Sequence, residues 1–173
     1  MRSGRGPKAL DAAALDALAI AYLGKYATTR HKLRTYLVRK VAECGWEGEG
    51  EAPLDAIVAR CAELGYVDDA LFAEARGAAL TRRGYGAQRV AAALRGAGID
   101  AETAAPVREA AEDGALDTAL AFARRKRIGP FGPESTSPDQ RRRHLAQMLR
   151  AGHSPEVARR VAFAKPGSIL DAR

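Results

Sequence analysis

Arg89-Val90-Ala91-Ala92-Ala93-Leu94, residues 89–94, sets an apolar residue behind a basic one and returns a leucine four positions on, the spacing of one helix face. The same pattern recurs at Lys32-Leu33 with Leu37, and at His144-Leu145 with Leu149. Leu33, Val90 and Leu145 stand 57 and then 55 residues apart. A repeat of that length points to tandem units, each too small to bury its apolar face alone.

Further helical stripes flank each of these segments. Leu15, Leu18, Ala19, Tyr22 and Tyr26 precede the first, and Leu54, Ile57, Val58, Cys61 and Leu64 follow it. Phe72, Ala75 and Ala79, and then Ala104, Val107 and Ala111, bracket the second. Leu116, Ala119, Leu120 and Ala123, and then Val157, Val161 and Ala162, bracket the third. Nine short helices in three groups result, and no comparable stretch alternates with period two. Hydrophobic residues make up 47% of the 173-residue chain but aromatic ones only 6%, with alanine, the best helix former, supplying much of the apolar share. The expected fold is all-α, an elongated tandem array of three three-helix repeats. A helix of ~15 residues is ~22 Å long, so three stacked units extend rather than round up. The expected divisions are a flexible tail over 1–9, repeats over 10–65, 66–113 and 114–164, and a second tail over 165–173.

Start and stop signals agree. Ser137-Pro138-Asp139-Gln140 reads as a capping box with proline at the first helical position, and Ser154-Pro155 repeats the start. Asp68 can cap the helix of Phe72, and Pro53 can open that of Ile57. Gly45, Gly65, Gly84, Gly98, Gly129 and Gly152 fall near helix ends, where a left-handed residue closes a helix.

Composition narrows the function. No apolar run reaches the ~18 residues of a membrane span, and no apolar segment follows Arg2, Arg5 and Lys8 as in a signal peptide. Cys44 and Cys61 are too few for a disulfide framework. The expectation is a cytoplasmic, monomeric protein with reduced thiols. His31, His144 and His153 fall in different segments, Cys-x-x-Cys is absent, and Gly84-Tyr85-Gly86 fits no phosphate-loop or dinucleotide pattern. No catalytic residue, cofactor site or metal site is expected, and the chain should act by binding.

Charge says to what. The formal net charge is +7, and it is unevenly spread. Residues 121–150 carry eight basic and two acidic side chains, whereas 101–120 carry one basic and five acidic. Arg82 and Arg83 end one helix, and Arg89 and Arg95 ride on the next. Arg124-Arg125-Lys126-Arg127 closes the first helix of the third repeat, and Arg141-Arg142-Arg143 opens its second. Cations at a helix C-terminus complement the dipole, so the 124–127 run has a structural reading. Three cations near a helix N-terminus mildly oppose the dipole and suit presentation to an anion. These eleven residues are the candidate partner-binding and DNA-binding set. With only Tyr85 and Phe131 nearby to stack on bases, contact with phosphates is expected over base reading.

Gly65-Tyr66-Val67-Asp68-Asp69-Ala70-Leu71-Phe72-Ala73 resembles the Gly-Tyr-Leu-(Asp/Asn)-Asp-x-x-Phe-Ala signature of the RecX family, regulators of the RecA recombinase. Residues 83–90, 94–99, 124–131 and 149–155 resemble that family's later segments, and the likeness spans about residues 12 to 163. Val41-Ala42-Glu43-Cys44-Gly45 departs from the tighter Lys-Gly helix end usual in the first repeat. The resemblance implies three tandem three-helix repeats. It also implies a non-enzymatic inhibitor that binds RecA filaments on single-stranded DNA and limits recombination and SOS activities. A stand-alone basic helical module that binds nucleic acid without RecA is the alternative. Tyr66, Leu71 and Phe72 are expected to be packing residues, with Phe72→Ala costing about 3–5 kcal/mol if its ring is core.

Overall fold

The computed structural model describes residues 8–171; residues 1–7 of the expected first tail and 172–173 of the expected second lie outside the described residues. Within them the chain is all-α, with three groups of three helices in sequence order. The first group is α1 (Ala12–Lys25), α2 (Arg30–Cys44) and α3 (Leu54–Glu63); the second is α4 (Asp69–Arg82), α5 (Ala87–Arg95) and α6 (Ala101–Asp113). The third is α7 (Ala115–Lys126), α8 (Pro138–Arg150) and α9 (Pro155–Ala162), with a 3-10 turn at Gly129–Phe131.

The chain forms two compact units. One runs through Phe72 and also takes in Ala97–Ile99; the other comprises Ala73–Gly96 and the chain from Asp100 onward. In the first unit Leu15, Ala19, Leu33, Leu37, Ile57, Val58, Cys61 and Val67 form the core. Burial pushes the Cys61 thiol up from its ordinary value, so it serves as a small apolar side chain. Leu10 joins this core through a single bridge to Trp46, with Leu10 N donating to Gly45 O and Glu47 N to Leu10 O.

Residues 97–99 belong to this unit because of the start of α2. Thr29 is fully buried; its hydroxyl accepts from Lys32 N (3.2 Å) as the N-cap and donates to Ala97 O (2.6 Å). Gly98, in the left-handed region at φ +76°, lies so close to the His31 ring that a Cβ there would overlap it. Asp69 adds its carboxylate to Arg30 N at 2.9 Å. Thr29→Val keeps the shape and removes both hydrogen bonds. It is expected to destabilise the first unit by about 2 kcal/mol, roughly half from the lost cap and half from the orphaned buried carbonyl. Urea unfolding followed by circular dichroism measures this loss.

In the second unit Ala119, Phe122, Ala123, Ile128, Met148, Ala151, Ala158, Val161 and Ala162 form the core. The capping signals are used as their chemistry predicts. Ser137 and Gln140 form the capping box, Ser154 caps α9, and Asp68 accepts from Leu71 N at 2.9 Å. The six glycines expected at helix ends all have positive φ. From Lys165 to Asp171 the chain folds back: Gly167 N donates to Pro130 O, and Leu170 packs against the unit's core.

Three packing expectations are corrected. Tyr66 and Leu71 are 56% and 64% exposed, and Phe72 is half-buried beneath the Lys32 ammonium, 5.5 Å from its ring. The buried face of α4 is Ala73, Gly77 and Leu80, not Phe72, Ala75 and Ala79. At ~100° per residue, Leu71 points about 200° away from Ala73. Gly77 carries that register, because α4 approaches α6 closely enough that a Cβ at Gly77 would overlap the Val107 side chain. Leu64 and Leu149, also expected on apolar faces, are exposed.

Candidate nucleic-acid interface

The α4–α5 turn sets an aromatic ring between arginines. Helix α4 closes on Gly84 at φ +71°, with Tyr85 N donating to Leu80 O and Gly84 N to Thr81 O. Those two bonds are the glycine-dependent closure that turns a chain sharply out of a helix. Gly86 then opens α5, and its N–H donates to Ala151 O while Gln88 N donates to Gly152 O. A ring held at both neighbours has little freedom. Tyr85 is half-buried against the unit's core, with the Arg83 and Arg89 guanidinium carbons 5.4 and 5.8 Å from its centroid. Arg125 reaches over from α7 to donate to Arg83 O. Its neighbour Arg124 lies 4.7 Å from the Phe131 ring.

Of the eleven candidate residues, the structure therefore gathers Arg83 and Arg89 about Tyr85, brings Arg125 to the same turn through the Arg83 carbonyl and pairs Arg124 with Phe131. Arg82, Arg95, Lys126, Arg127, Arg141, Arg142 and Arg143 are exposed and have no aromatic partner or bond to that cluster among the described residues. Arg142 instead meets Asp139 at 3.4 Å on its own helix. None of the other ten has a carboxylate within ion-pair distance among the described residues. Arg127 ends α7 at φ +55°, a left-handed conformation that costs a side-chain-bearing residue about 1–2 kcal/mol.

Beneath the turn lies His153, 2% exposed, with its ring edge-on to Phe122 at 5.5 Å and no hydrogen-bond partner on either ring nitrogen. Burial lowers its pKa below the ordinary 6.5, with a weaker opposing pull from the Gly84 backbone. The unfolded chain thus takes up a proton that the folded one resists. His153's contribution to stability is complete above pH 6.5 and is lost as pH falls below it, at no more than about 1.4 kcal/mol per pH unit. The expected result is a melting midpoint that drops from pH 7.5 to pH 5.5, and drops less in His153→Leu with His31 and His144 left in place.

A second meeting of aromatic and basic side chains, absent from the candidate set, lies in the first unit. Tyr22, Tyr26 and Tyr36 come together there beside Lys25, Arg39 and Lys40. In the sequence Tyr22 and Tyr26 read as an apolar stripe; only the packing of α1 on α2 brings Tyr36 to them. No group of three or more His, Cys, Asp or Glu that could hold a metal occurs among the described residues. No helix there is long and apolar enough to cross a membrane.

The comparisons bear on both fold and family. Residues 68–106 match the family model described as RecX, second three-helix domain, which includes the Tyr85 turn. The fold is similar to the crystal structure of RecX from Lactobacillus salivarius, with TM-score 0.63 at 16% identity, covering 87% of this chain and 93% of that one. A second solved structure, titled regulatory protein RecX, gives 0.59 at 15% identity over 84% of this chain and 70% of that chain. Regulatory protein RecX of Stenotrophomonas maltophilia is 33% identical over 79% of this chain and 80% of its own. Regulatory protein RecX of Myxococcus xanthus is 31% identical over 95% of this chain and 92% of its own. With three groups of three helices and that likeness along nearly its whole length, this chain belongs to the RecX family of regulatory proteins.

Proposed function

We propose that the protein is a non-enzymatic regulator that binds a RecA-type recombinase filament on single-stranded DNA and inhibits its activities. We also propose that it acts in the cytoplasm as a monomer built of repeats over 10–65, 66–113 and 114–164. The observation that carries the DNA part is the Tyr85 turn, where Arg83, Arg89 and Arg125 meet with no carboxylate in ion-pair distance among the described residues. Unpaired arginines beside a ring suit a phosphate backbone with a base alongside. Arg127 supports the same reading: its backbone strain persists where glycine would relieve it, and such strain clusters at functional positions. Arg82, Arg95, Lys126 and Arg141–Arg143 are proposed as outlying phosphate or filament contacts. Weak contacts spread over several units gain from effective concentration once the first has formed.

The test is the single-stranded-DNA-dependent ATPase rate of RecA from the same organism, titrated with this protein. A fall at substoichiometric protein supports filament regulation and blocked growth. No effect at excess, with DNA binding retained, refutes it in favour of a module that binds nucleic acid alone.

A further inference from the structure

We infer that the groove between α1 and α2 in the first unit is a nucleobase-stacking site for single-stranded nucleic acid. This goes beyond the phosphate contacts proposed at the Tyr85 turn and does not rest on them. The groove has a volume of about 510 Å³ and is lined by Ala21, Tyr22, Lys25, Tyr26, Tyr36, Arg39 and Lys40.

Its rings are graded from anchored to open. Tyr22 and Tyr36 stack with centroids 4.2 Å apart and planes 15° from parallel, and both rest on the apolar core. Tyr26 follows Tyr22 by one helical turn, at 5.1 Å and 50°, and is 48% exposed. An aromatic pair fixed by the core, with a third ring left to the solvent, is a platform that a planar partner can extend. Water leaves that surface when a base covers it.

The cations lie over the rings. Lys25 Nζ is 5.4 Å from the Tyr26 centroid, and Arg39 and Lys40 are 5.7 and 5.9 Å from that of Tyr36. Among the described residues Glu43 is the carboxylate that pairs with them, at 2.6 Å from Lys40 and 3.5 Å from Arg39. One acidic group against three basic ones leaves the groove positive, with Lys25 outside any ion pair among the described residues. A nucleotide in a single strand needs a flat apolar face for its base and a positive charge about one side chain away for its phosphate. That combination defines sequence-tolerant single-strand platforms. An acidic peptide would satisfy the cations and leave the rings uncovered, so the rings favour nucleic acid.

The test uses the full chain and an oligothymidylate carrying 5-iodouracil, which crosslinks under long-wavelength light to an aromatic ring stacked on it. The expected crosslink maps to Tyr22, Tyr26 or Tyr36. Tyr26→Ala should weaken binding of the unmodified oligomer roughly tenfold, as stacking on one ring does, whereas Tyr26→Phe should bind like the parent. An abasic strand of the same length should bind the parent and Tyr26→Ala equally. Crosslinks confined to Tyr85, or none, overturn the inference; so does a Tyr26→Ala variant that is folded by circular dichroism and binds the oligomer undiminished. The crosslink map needs no variant and no RecA, so it distinguishes failure of this site from failure of the filament reading.

Discussion

Gly86→Ala is expected to destabilise the second unit by about 3 kcal/mol or more, among the larger costs of overpacking. Gly86 has an ordinary extended backbone, so the cost is one of space rather than conformation. A Cβ there would overlap the carbonyl oxygen of Gly152 and stand 2.6 Å from His153 N, all of it backbone. The approach is reciprocal, for a Cβ at Gly152 would lie 2.5 Å from that of Arg89. Two glycines thus let the α4–α5 turn and the α8–α9 turn meet closely enough for Gly86 N to reach Ala151 O at 2.9 Å and Gln88 N to reach Gly152 O at 3.1 Å. No side chain can rotate aside to relieve the clash. Separating the turns would break both of these hydrogen bonds. A melt of the variant should show a midpoint lower by upwards of ~10 °C for a unit of this size. A midpoint within 2–3 °C of the parent, roughly the shift from half a kcal/mol, would show that the turns separate without cost.

Arg83→Gln with Arg89→Gln should weaken binding to single-stranded DNA on the order of one hundredfold at low salt, the outcome of losing two charge-assisted contacts. The fall should be sequence-independent and should shrink as salt rises. The slope of log K against log salt should flatten by about 1.4, from ~0.7 per phosphate on a single strand. Both side chains are exposed and make no ion pair among the described residues, so the variant should melt like the parent. Comparison with reversed charge at Arg141, Arg142 and Arg143 separates the gathered cluster from the outlying tract. The cluster variant should lose more affinity per charge, because Tyr85 holds its arginines in one place. Equal loss per charge would mean that position on the surface is immaterial and that only net charge attracts the strand.

Helix class, number and grouping were legible because they depend on interactions within a few residues. The i, i+4 recurrence of Leu33 with Leu37 and of Val90 with Leu94, the Ser137 and Ser154 starts and the left-handed glycines are all local, and the structure uses each of them. Arg83, Arg89, Arg125 and Tyr85 were legible as residue types of the right chemistry, and the nine-residue stretch from Gly65 carried the family likeness. What the local pattern could not resolve was the face of α4. Leu71, Phe72 and Ala73 are equally compatible with a helix, and the close approach of α6 at Gly77 decided that Ala73 turns inward.

The sequence by itself determined that this protein is an all-α array of the RecX family with an excess of positive charge, since propensity, capping and composition act residue by residue. Tertiary structure alone decided which of its many arginines stand together and that three tyrosines from two helices share one groove. It also decided that Thr29 holds a loop 68 residues away and that Gly86 and Gly152 touch. Each of these joins residues far apart in the chain, and such pairings exist only once the helices have packed.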